Sequence, residues 1–201
     1  MSRHYLDFHA CLSTAAELHG DVCAGLTIGT RMAIAGLKAV GIKDPKGKDR
    51  KKLLVFVEID RCATDAIMAI TGCRPGKRTM KIVDYGKMAA TFFNVSTGKA
   101  VRLVVKEKKE GKKRSADEEN IVERYASIPD GELFSMQEVV LVVRPEDMPG
   151  KPLRAVTCDV CGERIMDMRE RYEDGKTLCR PCAEKRSYYS LLKTMQTRGS
   201  R

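Results

Sequence analysis

The chain is expected to fold as an α+β protein: a mixed or antiparallel sheet with helices packed on one side, followed by a small C-terminal zinc module. Three observations predict this. A helix-compatible stretch rich in small residues, 13–40, precedes several β-rich runs, two of them joined by a hairpin signal. Pro145, Pro149 and Pro152 then mark a linker. Beyond the linker come Cys158-x-x-Cys161 and Cys179-x-x-Cys182 with seventeen residues between them, a spacing that lets four thiolates close one tetrahedron about zinc. The 201 residues suit one medium domain and one small one, read as a core of 1–150 and a finger of 151–201.

The first helical stretch carries Gly25, Gly29, Ala33 and Gly36 on one face. So smooth a stripe lets another backbone come close, within the core or across a dimer, with a ligand-contact surface ranked below these. Arg31 and Lys38 argue against a membrane helix. Gly41 to Lys52 reads as a polar loop, and Leu53 to Val57 as a buried strand. Ala63 to Ile70 suits a short helix, and Thr71 to Lys77 a turn or loop. Two strands follow, near 80–95 and 100–106, with Ser96-Thr97-Gly98-Lys99 as the hairpin signal. Residues 106–114 form a charge run. Ser115 and Glu118 suggest a cap for a helix over 116–126. Gln137 to Val143 reads as the last strand of the core. The zinc module spans 157–185, and a helix is expected to continue past Leu191.

Composition narrows the function classes. No apolar run approaches the roughly 18–20 residues that span a bilayer. Residues 1–10 carry His and Asp where a signal peptide has its apolar stretch, so a cytoplasmic location is expected. Eight cysteines in a reducing compartment suggest metal or redox chemistry more than disulfides. The net charge is +10, half of it in residues 151–201. Four thiolates on a divalent ion remove two of those charges, leaving about +3 there. Charge alone is therefore a weak argument for nucleic acid.

In the zinc module, Gly162 after Cys161 suits a zinc knuckle, where the turn brings backbone N–H groups towards sulfur. The second pair precedes Ala183-Glu184-Lys185-Arg186, which can start a helix. A hairpin followed by a helix-borne second pair is the treble-clef arrangement. Cys161-Gly162-Glu163-Arg164-Ile165 and Leu178-Cys179 resemble the C-terminal four-cysteine finger of the DksA/TraR family. Four thiolates leave no open position, so the zinc here is expected to be structural.

A second set of motifs lies upstream. It comprises His19-Gly20-Asp21-Val22-Cys23-Ala24-Gly25-Leu26, Glu58-Ile59-Asp60-Arg61-Cys62-Ala63-Thr64-Asp65-Ala66, Thr71-Gly72-Cys73 and Asp84-Tyr85-Gly86-Lys87. As a set, over about residues 8–143, they resemble the E-subunit family of formylmethanofuran dehydrogenase. That family's first motif is similar to His-Gly-His-x-Cys-Pro-Gly-Leu. Here Asp21 replaces the second His and Ala24 the Pro, and Arg74-Pro75 stands where a Thr usually follows the Gly-Cys pair. The resemblance implies a homodimer, with the small-residue face as a physical reason for close association. It also implies a molybdenum- or tungsten-enzyme partner in one-carbon metabolism.

The residues themselves carry a chemical reading. Cys23 is expected at the N-terminus of a helix, which favours thiolate. His19 lies four residues earlier, and Cys62 comes off a buried strand. His19, Cys23 and Cys62 are thus a candidate three-ligand site for a second zinc or another transition metal, with a fourth position open. Asp21, Asp60 and Cys73 are each candidates for that position or for a supporting contact. Cys62, Cys73, Asp21 and Asp60 are the candidate catalytic residues. The Asp84–Lys87 motif reads either as a strand bend or as part of the same cleft, and Lys77 and Arg102 as positive charge for an anionic ligand. Cys62 and Cys73 also fit as small buried hydrophobes, and His19 as a helix cap. Cys11 reads as an ordinary core cysteine.

Three functions compete. The first is a metal-binding accessory protein, free or as part of a larger enzyme. The second is a small zinc enzyme in which Asp21 or Asp60 acts as base, or a redox enzyme using Cys62 and Cys73 as a dithiol. The third, ranked below these, is a nucleic-acid-binding regulator.

Overall fold

A computed structural model describes residues 6–106 and 121–190 of the chain. Its internal contacts divide the chain into two units, Met1–Val143 and Arg144–Arg201. The charge run beyond Lys106, the Ser115 cap and any helix past Leu191 lie outside the described residues.

The stretch 13–40 is two helices. α1 (Phe8–His19) starts at Asp7, whose Oδ1 accepts from the Ala10 N–H at 2.9 Å. It ends at Gly20, which sits at φ 104° and donates its N–H to the Ala16 carbonyl. A left-handed residue of this kind closes a helix, and glycine adopts it without a Cβ penalty. α2 (Ala24–Ala39) then starts afresh with Cys23 as its N-cap.

The small-residue stripe of α2 is used inside the chain. A Cβ on Gly29 would stand 2.5 Å from Cα of Ala63 in α3 (Cys62–Thr71), and one on Gly36 would stand 2.3 Å from the Phe92 ring. α2 therefore meets α3 along one side and the sheet along another. Of the uses expected for the stripe, packing within the core is the one observed. Arg31 of α2 is also occupied. Its guanidinium donates to the carbonyls of Tyr125, Ala126 (2.8 Å) and Ile128 (2.6 Å). It thereby binds the C-terminal carbonyls of α4 (Ile121–Ser127). It also pairs at 2.7 Å with Asp130, which opens the single turn α5 (Asp130–Leu133).

Among the described residues the first unit holds one five-stranded sheet, ordered β2-β1-β3-β4-β5. The strands are β1 (Leu53–Val57), β2 (Met80–Ile82), β3 (Ala89–Asn94), β4 (Ala100–Val105) and β5 (Phe134–Glu138). β2 runs parallel to β1, and the other pairings are antiparallel, so the sheet is mixed. The parallel pair requires a crossover, and α3 supplies it. Phe92 and Leu103 are fully buried, with Leu37, Ile67 and Phe134 in the same core.

Two strand expectations are revised. The run 80–95 is two strands, because residues 83–88 leave the sheet. There the backbone N–H groups of Tyr85 and Lys87 both donate to the Glu58 carbonyl, at 3.0 and 3.1 Å, and Gly86 turns at φ 65°. The final strand lies upstream of the expected 137–143. Leu133 and Phe134 are core residues, so pairing begins there, with Phe134 opposite Val105 and Glu138 opposite Val101. Val140 and Val142 are 94% and 89% exposed despite their β propensity.

The second unit holds two hairpins and a short helix. β6 (Ala155–Thr157) pairs with β7 (Arg164–Met166), and β8 (Arg171–Glu173) with β9 (Lys176–Leu178). α6 (Arg180–Glu184) follows. Its buried apolar cluster is Cys158, Ile165 and Leu178. A core so small does not offset the conformational entropy of ordering the unit, and a structural metal supplies the difference.

Candidate metal centres

Three chain segments bring the core cluster together. His19 is the last residue of α1, Cys23 caps the N-terminus of α2, and Cys62 is the first residue of α3. One nitrogen of His19 and the sulfurs of Cys23 and Cys62 all lie within 4.8 Å of one another. A tetrahedral ion about 2.0–2.3 Å from each ligand needs them about 3.3–3.8 Å apart, inside that limit. Cys23 Sγ accepts from the Leu26 N–H at 3.3 Å, the contact of an N-cap side chain. A hydrogen bond with Cys23, and then burial, push the Cys62 thiol up from its ordinary value. Metal ligation takes both sulfurs as thiolates, so binding an ion here releases protons.

Glycine leaves close-fitting space beside this pair. A Cβ on Gly25 would meet Cys62 Cβ at 3.2 Å and Cys23 Sγ at 3.8 Å. Around the cluster, His19 Nδ1 stands 2.8 Å from Asp65 Oδ2, and Nε2 stands 3.6 Å from Asp21 Oδ1. All three ligands are partly buried and Asp21 is exposed. One neutral imidazole and two thiolates are a donor set suited to zinc or a similar soft ion.

Two of the candidates are not brought to this cluster. Cys73 follows α3, beyond the opposite end of that ten-residue helix from Cys62, a helix about 15 Å long at 1.5 Å per residue. It is 3% exposed, packs in the main core and donates to the Leu53 carbonyl at 3.7 Å. Burial pushes its thiol up. A disulfide needs Cα atoms within about 7 Å, so Cys62 and Cys73 are no dithiol pair. Cys73 is the small buried hydrophobe of the alternative reading. Asp60 is exposed and stands outside the three-residue group.

Arg102 is not available to a ligand. Its Nε and one terminal nitrogen each donate to Glu58 at 2.6 Å, a bidentate pair across β3 between β1 and β4. Lys77 lies in a 3-10 turn after α3, beside Cys73. The Asp84–Lys87 segment is the bend held on the Glu58 carbonyl, with Lys87 Nζ 5.8 Å from the Tyr85 ring centre. Asp65 is the contact that sequence reasoning passed over. Its signal was present: it stands three residues after Cys62 in a helix, on the same face.

The second centre joins Cys158, Cys161, Cys179 and Cys182, whose four sulfurs lie within 4.8 Å of one another. Cys161 Sγ and Cys179 Sγ are 3.8 Å apart. A tetrahedron with Zn–S of about 2.3 Å has edges of about 3.8 Å, so the spacing fits zinc. Gly162 turns at φ 73° and closes the knuckle on the Cys158 carbonyl at 3.0 Å. Backbone N–H groups of Cys161 and Cys179 pull the Cys158 thiol down to about 6. Hydrogen bonding to Cys179, with burial, pushes Cys182 up to about 12. Asp159, inside the first pair, accepts from the Thr177 N–H at 2.7 Å and so ties the knuckle to β9. None of the eight cysteines is in a disulfide.

An α+β core with a His/Cys cluster, carrying a separate four-cysteine finger, defines a metal-binding protein of two modules. Residues 18–135 match the family model described as FmdE, molybdenum formylmethanofuran dehydrogenase operon, and the chain belongs to that family. Residues 152–188 match the prokaryotic DksA/TraR C4-type zinc finger. An Archaeoglobus fulgidus protein described as "Probable S-adenosyl-L-methionine-binding protein" is 29% identical over 203 residues, covering 90% of this chain and 54% of its own length. The chain thus spans about half the length of that curated relative. Its fold is similar to that of a tungsten formylmethanofuran dehydrogenase FmdE-like protein from Syntrophus aciditrophicus. The TM-score is 0.60 at 20% identity, over 94% of this chain and 100% of that one.

Proposed function

We propose that the chain is a metal-binding accessory protein, free or as part of a larger enzyme. It holds one transition metal, zinc in the first instance, on His19, Cys23 and Cys62, and a structural zinc on the finger. The convergence of three ligand atoms from three helix ends, all within 4.8 Å, carries the reading. Three protein ligands leave a fourth position for Asp21 or an exchangeable small ligand, whereas the finger is closed by four thiolates. A metal so held supplies Lewis acidity or a docking point for that ligand. The two hairpins and helix of the finger suit a treble clef.

The family description motivates a partner, a molybdenum-dependent enzyme of one-carbon metabolism; a tungsten enzyme and a meeting in the cytoplasm extend that proposal. A homodimer stays part of this proposal on family grounds, without the α2 stripe as its cause. The archaeal relative's description adds S-adenosyl-L-methionine as a ligand to test at the open position. Cobalt substitution reads the central point. An added anion or thiol should shift the absorption bands of core cobalt and leave those of the finger unchanged. Unshifted bands would mean a closed core site. Capture from native cells should recover a molybdenum- or tungsten-dependent enzyme, and repeated failure would remove the partner.

The adjacency of Cys23 and Cys62 favours a second reading, thiol–disulfide exchange with a disulfide substrate. One thiolate would attack the substrate sulfur to form a mixed disulfide, the other would resolve it, leaving a Cys23–Cys62 disulfide on the protein and releasing the substrate as a dithiol. Trapping a mixed disulfide on a single-cysteine variant of this pair tests it.

A further inference from the structure

We propose that Asp65 is the positioning residue of the core metal site: it holds His19 through Nδ1 and so turns Nε2 towards the ion shared with Cys23 and Cys62. This rests on the reading of that cluster as a metal site. His19 sits at the end of α1, directly before the turn at Gly20. Its ring offers two nitrogens, and only one can face the ion. Nδ1 lies 2.8 Å from Asp65 Oδ2, a full hydrogen bond. An ionised carboxylate only accepts, so the shared proton sits on Nδ1 and the free lone pair on Nε2. Nε2 is 3.6 Å from Asp21 Oδ1, beyond hydrogen-bond length, and that lone pair is not spent there.

The position of Asp65 makes the device rigid. It lies in the first turn of α3, three residues after Cys62, so one helical turn presents both the thiolate ligand and the carboxylate that orients the imidazole. The ligand from α1 is thereby registered to the ligand from α3 by a direct contact. The same bond makes Nε2 a stronger donor to the metal, as carboxylate–histidine pairs do at zinc.

The intact chain, labelled with nitrogen-15 at histidine and loaded with cadmium-113, provides the test. His19 should show a protonated Nδ1 and scalar coupling between cadmium and Nε2. Competition with a chromophoric chelator should show that Asp65→Ala weakens the core site by about 10–100-fold and leaves the finger site unchanged. Asp65→Asn, which keeps an acceptor oxygen at the same place, should recover much of the loss. If Asp65→Ala fails to fold, the wild-type coupling and the Asn variant still decide. Coupling through Nδ1, or wild-type core affinity in both variants, would overturn the proposal. A wild-type chain that takes up only the finger metal would instead refute the metal reading itself, before any Asp65 variant is made.

Discussion

At the residue scale, Gly25 separates site from scaffold. Alanine is the better helix former by about 1 kcal/mol, so Gly25→Ala should keep or raise the melting temperature. Its Cβ would press on Cys62 Cβ at 3.2 Å and crowd Cys23 Sγ at 3.8 Å. Core metal affinity should therefore fall about tenfold by chelator competition while the fold persists. Asp49 gives a prediction in pH. Its carboxylate accepts from the Lys43 and Asp44 N–H groups at 3.2 and 3.1 Å and from Lys52 Nζ at 2.9 Å. The Lys52 contact, foremost, holds its pKa below the ordinary carboxylate value. A depressed folded pKa means stability that is fully present above the unfolded value and lost as pH falls through the folded one. Asp49→Asn should cost about 1–2 kcal/mol in urea unfolding at pH 7, and the gap to wild type should close as pH falls through the depressed folded pKa.

At the element scale, the α2–α3 contact sets the distance between the two cysteines. A methyl on Gly29 would lie 2.5 Å from Ala63 Cα, a backbone atom one residue from Cys62. Gly29→Ala should force the helices apart at a cost of about 1–3 kcal/mol, read by thermal unfolding. It should also weaken the core metal, because Cys62 moves with α3. β1 and α3 were legible in the sequence because a short apolar run and a flanked helical pattern leave little choice of partner. Three boundaries were not. The α1–α2 break was legible only from its far side, with Cys23 at a helix start, and not from Gly20 as the close of a separate α1. The bend of 83–88 depends on the Glu58 carbonyl, distant in sequence. The start of β5 is decided by burial of Leu133 and Phe134, and Val139 to Val143 have the stronger β composition. Tertiary context overrides propensity at each.

At the scale of the whole molecule, two ligand clusters of different design sit on two units: a closed four-cysteine finger and a three-residue His/Cys group. The finger was legible outright, because four cysteines at short spacing admit one geometry. The core site was legible only in part. His19, Cys23 and Cys62 carry recognisable ligand chemistry, but Cys73 shares their residue type and its burial is not written locally. Asp65 acquires its role through a contact spanning 46 positions of sequence. The most direct measurement is metal content per chain by elemental analysis of the intact protein and of Cys62→Ser. Two equivalents in the wild type and one in the variant, with the finger zinc retained, is the predicted result. One equivalent in both would contradict the account, leaving the finger as the metal centre and the His19–Cys23–Cys62 cluster without an ion.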